Sequence, residues 1–230
     1  MNKDIILPQQ NTKIKTAKIK KLRKKIPKWF EENQRFFPWR EPNISSYQIL
    51  IAEILLQKTR AENVVDIYLK FINKFANIKE LSNANSKEII NIIRPLGFYN
   101  RKTRDLIKLS KEIMTKHGGK IPLKKLKLEE LPGIGTYISN AFLCFACNKR
   151  VPIVDTNVKR IYSRYFGINV NADPRRDTDI WFLAKRVLPM KSVKEFNWGV
   201  LDFSALICKS RNPHHFDCPL RENCVNFDKS

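Results

Sequence analysis

The chain has 230 residues, of which 44 are Lys or Arg and 22 are Asp or Glu, a formal net charge of +22. Apolar residues make up 43% and charged residues 29%, the balance of a globular chain with a sizeable core rather than a disordered one. A pI near 9.9 points to polyanionic partners, nucleic acid ahead of an anionic membrane surface, and seven glycines are too few for an all-β chain built on tight turns.

Residues 1–28 hold ten Lys/Arg against one Asp. Residues 1–19 read as a basic flexible arm, either a solvated tail or a source of sequence-independent phosphate attraction. Ile14, Lys18, Lys21 and Lys25 would line one face of a frayed helix there. The N-terminus has no apolar run with a small-residue cleavage site, and no stretch approaches the roughly 18–20 apolar residues of a bilayer span. An intracellular location follows as an expectation, with no membrane partner. In a prokaryote that means cytoplasm or nucleoid, in association with DNA.

From Tyr47 onward the apolar spacing is helical. One face reads Tyr47, Leu50, Ile51, Ile54, Leu55, and the next reads Val64, Ile67, Tyr68, Phe71, Ile72. Ile89, Ile92 and Ile93 follow, then Leu106, Leu109 and Ile113. The run SNANS at 82–86, then Gly97, then His117 to Gly119 punctuate these stretches. The fold class is all-α, with roughly ten helices and short links.

The run LPGIG at 131–135 lies between two helical stretches. Two glycines one residue apart, Gly133 and Gly135, permit a tight turn that aims backbone N–H groups from a helix start, a site suited to a phosphate oxygen. Alone the pattern is weak. Twenty residues after Gly135 stands Asp155, in VPIVDTNVKRIYSRYFG. With FFPWR at 36–40, AEILLQKT at 52–59, LGFYNRK at 96–102 and the terminal cysteine pattern, this resembles the helix-hairpin-helix–Gly/Pro–Asp superfamily of DNA glycosylases over residues 29–227. The likeness is nearest to the adenine and thymine–DNA mismatch glycosylase branch.

The resemblance implies two lobes: a helical barrel over 44–150 ending in the hairpin, and a second lobe of 20–43 with 151–227. Asp155 and Glu53 would face each other across a cleft between them. Breaking an N-glycosidic bond builds positive charge on the sugar, and a fixed carboxylate near C1′ stabilises it. Asp155 takes that role by position, and also suits a helix N-cap. Glu53, set among Ile51, Ile54 and Leu55, would act in the base pocket on the leaving base or the attacking water; otherwise it is an edge carboxylate paired with a Lys.

Two residues past Gly135, where bifunctional relatives carry a Schiff-base Lys, this chain has Tyr137. A phenol forms no imine, so a monofunctional enzyme using water is implied. Tyr137 would shape the pocket, or else be a core aromatic. The resemblance further places Gln57 and Lys58 in an intercalating region and Phe98 and Tyr99 in a wedge loop, one of that pair being core. Lys58, Arg60, Arg101, Lys102 and Arg104 would add phosphate contacts or be solvated charges.

The end of the chain reads Cys208-x6-His215-x2-Cys218-x5-Cys224, the superfamily's four-ligand iron–sulfur spacing with His at the second position. A [4Fe–4S] cluster with one imidazole ligand, a zinc ion, or a loop without metal all fit this pattern, with His214 as a rival ligand. Lys209 and Arg211 would lie in a DNA-touching loop spanning 208–224. Cys144 and Cys147, in AFLCFAC, read as core thiols.

The functional expectation is removal of a mispaired base from double-stranded DNA, thymine or uracil opposite guanine, by a monomer. Adenine opposite guanine or 8-oxoguanine is the alternative. A catalytically inactive DNA-binding module, and a lyase using another lysine, are the rivals of other classes.

Overall fold

In the computed structural model, residues 14–169 and 177–227 are described. Among them every regular element is helical, eleven α-helices with short 3₁₀ turns. None is long and apolar enough to cross a membrane. The chain forms two compact units, Phe36–Lys149 and Met1–Arg35 with Arg150–Ser230.

The first helix of the second-named unit is α1 (Thr16–Asn33). It buries Ile19, Leu22, Ile26, Trp29 and Phe30, an apolar stripe at helical spacing. The expected frayed helix is therefore a packed one, and the expected arm overlaps it from Thr16; residues 1–13 of that arm lie outside the described residues. Among the described residues three further helices belong to the unit: α9 (Thr156–Phe166), α10 (Thr178–Val187) and α11 (Val193–Leu206). α1 lies along α11, and Gly199 allows the approach, since a Cβ there would meet Ile26 Cγ2 at 2.9 Å and Phe30 Cβ at 3.1 Å. Arg35 fastens the end of this helix pair: its Nη2 stands 2.8 Å from Oδ1 of Asp202, whose side chain is fully buried.

The other unit holds α2 (Ser46–Leu56), α3 (Val65–Lys74), α4 (Ile78–Ser82), α5 (Ser86–Ile93), α6 (Tyr99–His117), α7 (Lys125–Glu129) and α8 (Thr136–Phe145). Ser45 and Gln48 close a capping box at the start of α2, and Asn85 with Glu88 does the same for α5. α2 is apolar nearly all round and lies inside its unit, packed on α8 and α3. The 3₁₀ turn Pro38–Arg40 sets Trp39 between Phe37, stacked at 4.9 Å, and Tyr68, edge-on at 5.3 Å.

Candidate nucleic-acid interface and catalytic residues

Asp155 is the N-cap of α9. Its Oδ1 accepts from the backbone N–H of Asn157 at 2.9 Å and of Val158 at 2.7 Å, and its Oδ2 accepts from Asn157 Nδ2 at 2.9 Å. Three donors thus hold a half-buried carboxylate at the positive end of a helix. Arg160 extends the arrangement. It donates through Nη1 to Asn157 Oδ1 at 2.9 Å, through Nε to the Cys208 carbonyl at 2.9 Å and through Nη2 to the Ser204 carbonyl at 3.0 Å. Asn157 and Arg160 were not among the candidate residues; the i, i+3 spacing of the pair along α9 is the signal that would have found them.

The cysteine loop begins where α11 ends. Cys208, Cys218 and Cys224 are half-buried against the core of this unit. Burial, with the neighbouring sulfurs of Cys224 and Cys208 adding to it, pushes the Cys218 thiol up to about 11. The His215 ring stands edge-on to Phe227 at 5.6 Å, and His214 faces Asp217 at 3.9 Å and Lys209 Nζ at 3.2 Å. Three thiols and an imidazole suit a thiolate-rich metal group in chemistry and spacing. As placed, no group of three or more His, Cys, Asp or Glu among the described residues is set to hold a metal ion.

In the 36–149 unit, Glu53 is 5% exposed on α2, and Tyr137 is half-buried on the first turn of α8. Gly133 and Gly135 differ. Gly133 has φ +78°, and a Cβ there would come 3.0 Å from Asp105 Cβ, whereas Gly135, the N-cap of α8 with φ −103°, has open space. Only the first glycine is demanded by the fold.

Gln57 caps the end of α2 and donates through Nε2 to the Gly133 carbonyl at 3.1 Å, tying its turn to the hairpin. Lys58 and Phe98 both adopt left-handed backbone, at φ 54° and φ 61°. Lys58 Nζ sits 4.9 Å from the centre of the Phe98 ring. Phe98 is 59% exposed, and Tyr99 is half-buried where α6 begins. Arg60 is exposed, while Arg101 and Arg104 are drawn to Asp105.

Lys102 departs from expectation. It is 2% exposed and is no surface contact for phosphate. It belongs to the buried stripe of α6 with Leu106, Leu109 and Ile113, a spacing already present in the sequence. Cys144 is buried as expected, but Cys147 lies past the end of α8 and is only half-buried.

The chain matches the family described as "HhH-GPD superfamily base excision DNA repair protein" over residues 51–184. It is 37% identical over 216 residues to "Thymine-DNA glycosylase" of Aeropyrum pernix, covering 92% of this chain and 96% of the relative. It is 37% identical over 214 residues to "Thymine/uracil-DNA glycosylase" of Pyrobaculum aerophilum, covering 91% and 93%. "Adenine DNA glycosylase" of Buchnera aphidicola is 34% identical over 199 residues, which are 86% of this chain and 56% of that one. The solved structure of a thermostable thymine-DNA glycosylase superposes with a TM-score of 0.87 at 33% identity, over 93% of this chain and 98% of the other. A non-covalent endonuclease III–DNA complex, at 21% identity and a TM-score of 0.81 over 94% and 98%, shares the fold. The chain belongs to the HhH-GPD superfamily of base excision DNA repair proteins.

Proposed function

We propose that this superfamily member removes thymine or uracil mispaired with guanine from double-stranded DNA, by hydrolysis and without strand cleavage. The enzyme class is the family's own, a DNA glycosylase of base excision repair. The observation that carries the reading is the carboxylate of Asp155, immobilised by three donors. As the base departs, C1′ gains positive charge, and a preset anion stabilises that charge without having to reorganise. The three donors keep the carboxylate oriented, and Arg160 steadies Asn157 in turn.

Glu53 is the second carboxylate of the reading, buried where it would serve the leaving base or order the water. Tyr137 shapes the pocket in place of an imine-forming amine. Lys58 and Arg60 supply phosphate contacts, and Phe98 enters the stack when the base leaves it. A [4Fe–4S] cluster on Cys208, His215, Cys218 and Cys224 is part of the reading, as a brace for the basic loop with Lys209 and Arg211. The spacing Cys208-x6-His215-x2-Cys218-x5-Cys224 supports it. The chain acts as a monomer.

The test is base release from end-labelled duplexes carrying T·G, U·G, A·G, A·8-oxoG or a matched pair, with and without hot alkali. Release of T or U opposite G, with breaks only after alkali, is the expected result. Release of A alone moves the chain to the adenine branch, and breaks without alkali sink the monofunctional assignment. Iron and sulfide analysis of anaerobically prepared protein tests the cluster.

A further inference from the structure

Lys102 has no task in that chemistry. Its Nζ donates to the Gln57 carbonyl at 2.8 Å, Thr59 Oγ1 at 3.0 Å and the Gly97 carbonyl at 3.2 Å. The first two acceptors lie in the turn after α2 and the third in the turn before α6. Burying an ammonium is costly, and burial lowers this one to about 8. A residue needed only to fill space would not carry the charge.

Each of the two turns contains one strained residue, Lys58 or Phe98. A left-handed conformation costs a non-glycine residue roughly 1–2 kcal/mol and persists only where the surroundings over-determine it. The three hydrogen bonds of Lys102 are such a determinant. The strained residues then leave their turns as a pair, the Lys58 ammonium over the Phe98 ring. A large apolar ring held 59% exposed on a basic protein is suited to stacking on a nucleobase. The helix that carries Lys102 also carries Asp105, against which Gly133 of the hairpin is packed. One helix start therefore sets the position of three turns.

We propose that Lys102 is a positioning residue that locks the 57–59 turn to the 97–98 turn, so that Lys58 and Phe98 meet the duplex as a single preset wedge. This rests on the reading that the chain flips a base out of DNA. Ordering the wedge in the free protein removes an entropy cost that a loose loop would incur on binding.

The experiment uses the full chain, and a duplex with 2-aminopurine beside the mispaired base to report unstacking. Lys102→Met is expected to bind undamaged duplex as the wild type does. Its unstacking signal should fall, and its single-turnover base release should drop by roughly 10- to 100-fold, the scale of a small misplacement. Thr59→Val, which at constant shape removes one acceptor of Lys102 together with the hydroxyl's own bond to the Gln57 carbonyl, should move both readings the same way by a few-fold. The decisive reading is the cycle with Phe98→Ala: the double variant should be no worse than Phe98→Ala alone, because both changes disable one wedge.

Losses that multiply in that cycle, or a Lys102→Met protein with wild-type unstacking, overturn the proposal. Should Lys102→Met fail to fold, Thr59→Val carries the same cycle. A wild type that unstacks the duplex but releases no base refutes the glycosylase reading while leaving the wedge standing.

Discussion

The two units hold their key side chains by opposite means. In the unit of residues 150–230 an anion is held by donors, the Asp155 carboxylate at the start of α9. In the unit of residues 36–149 a cation is held by acceptors, the Lys102 ammonium on carbonyls beside the end of α2 and the start of α6. Both draw on backbone groups beside helix ends, N–H groups of the first turn for Asp155 and carbonyls of the flanking turns for Lys102. The difference is one of range. Asp155 takes its donors from residues two and three positions on. Lys102 reaches across 45 and 43 positions to Gln57 and Thr59. A local anchor survives damage elsewhere, whereas a long-range one holds only while both turns are in place.

The sharpest break is Asp155→Asn. Asparagine keeps the two backbone cap bonds but sets its Nδ2 against Asn157 Nδ2, so a loss of only about 1–2 kcal/mol in stability is expected. Base release should fall by roughly 10²–10³-fold with the anion gone. Melts and single-turnover rates on the same preparation decide it; an unchanged rate reduces Asp155 to a cap. Next come the hairpin glycines. Gly133→Ala places a Cβ in a left-handed residue against Asp105 and should cost about 1–3 kcal/mol in a denaturant melt. Gly135→Ala should cost under about 1 kcal/mol, so equal losses would contradict the distinction drawn between them.

Phe98→Gly relieves left-handed strain at a residue that buries little. It should raise stability by up to about 1 kcal/mol while lowering base release, and a variant that gains both would remove Phe98 from the interface. A pH series tests the buried charge itself. Lys102 titrates near 8 in the folded chain against an ordinary 10.5. Between those values the unfolded chain holds a proton that the fold has released, so stability rises with pH across that window. The cost of the buried charge is full below pH 8, declines across the window and is gone above pH 10.5. Lys102→Met should lack this rise, and parallel slopes in paired melts would argue against a titrating clamp.

Much of the helical architecture was legible because its periodicity is strong. Tyr47, Leu50, Ile51, Ile54 and Leu55 predict a buried helix, and Ser46–Leu56 is one. Asp155 as an N-cap was legible from residue type alone. Lys102 was misread because charge outweighed position: its spacing to Leu106, Leu109 and Ile113 puts it on the buried face, but lysine is ordinarily a surface residue. The basic stretch before residue 28 hid α1 in the same way, its apolar stripe of Ile19, Leu22 and Ile26 interleaved with lysines that remain in solvent. The Arg160 relay depends on carbonyls of Ser204 and Cys208, more than forty positions away, and no local pattern encodes those.

The pairing of α1 with α11 has a consequence for biosynthesis. One unit is contiguous, Phe36–Lys149, and all its partners have been translated by the time Lys149 is added. The other is split. α1 leaves the ribosome with Leu22, Ile26 and Phe30 uncovered, and its partner helix does not exist until residues 193–206 have been made. The contiguous unit can therefore fold during synthesis while α1 waits, its apolar stripe screened only by its own lysines. The return of α11 to α1 is a non-local step that can come only late in synthesis. Gly199, where a Cβ would meet Ile26 and Phe30, is a position at which a late-arriving side chain would obstruct it.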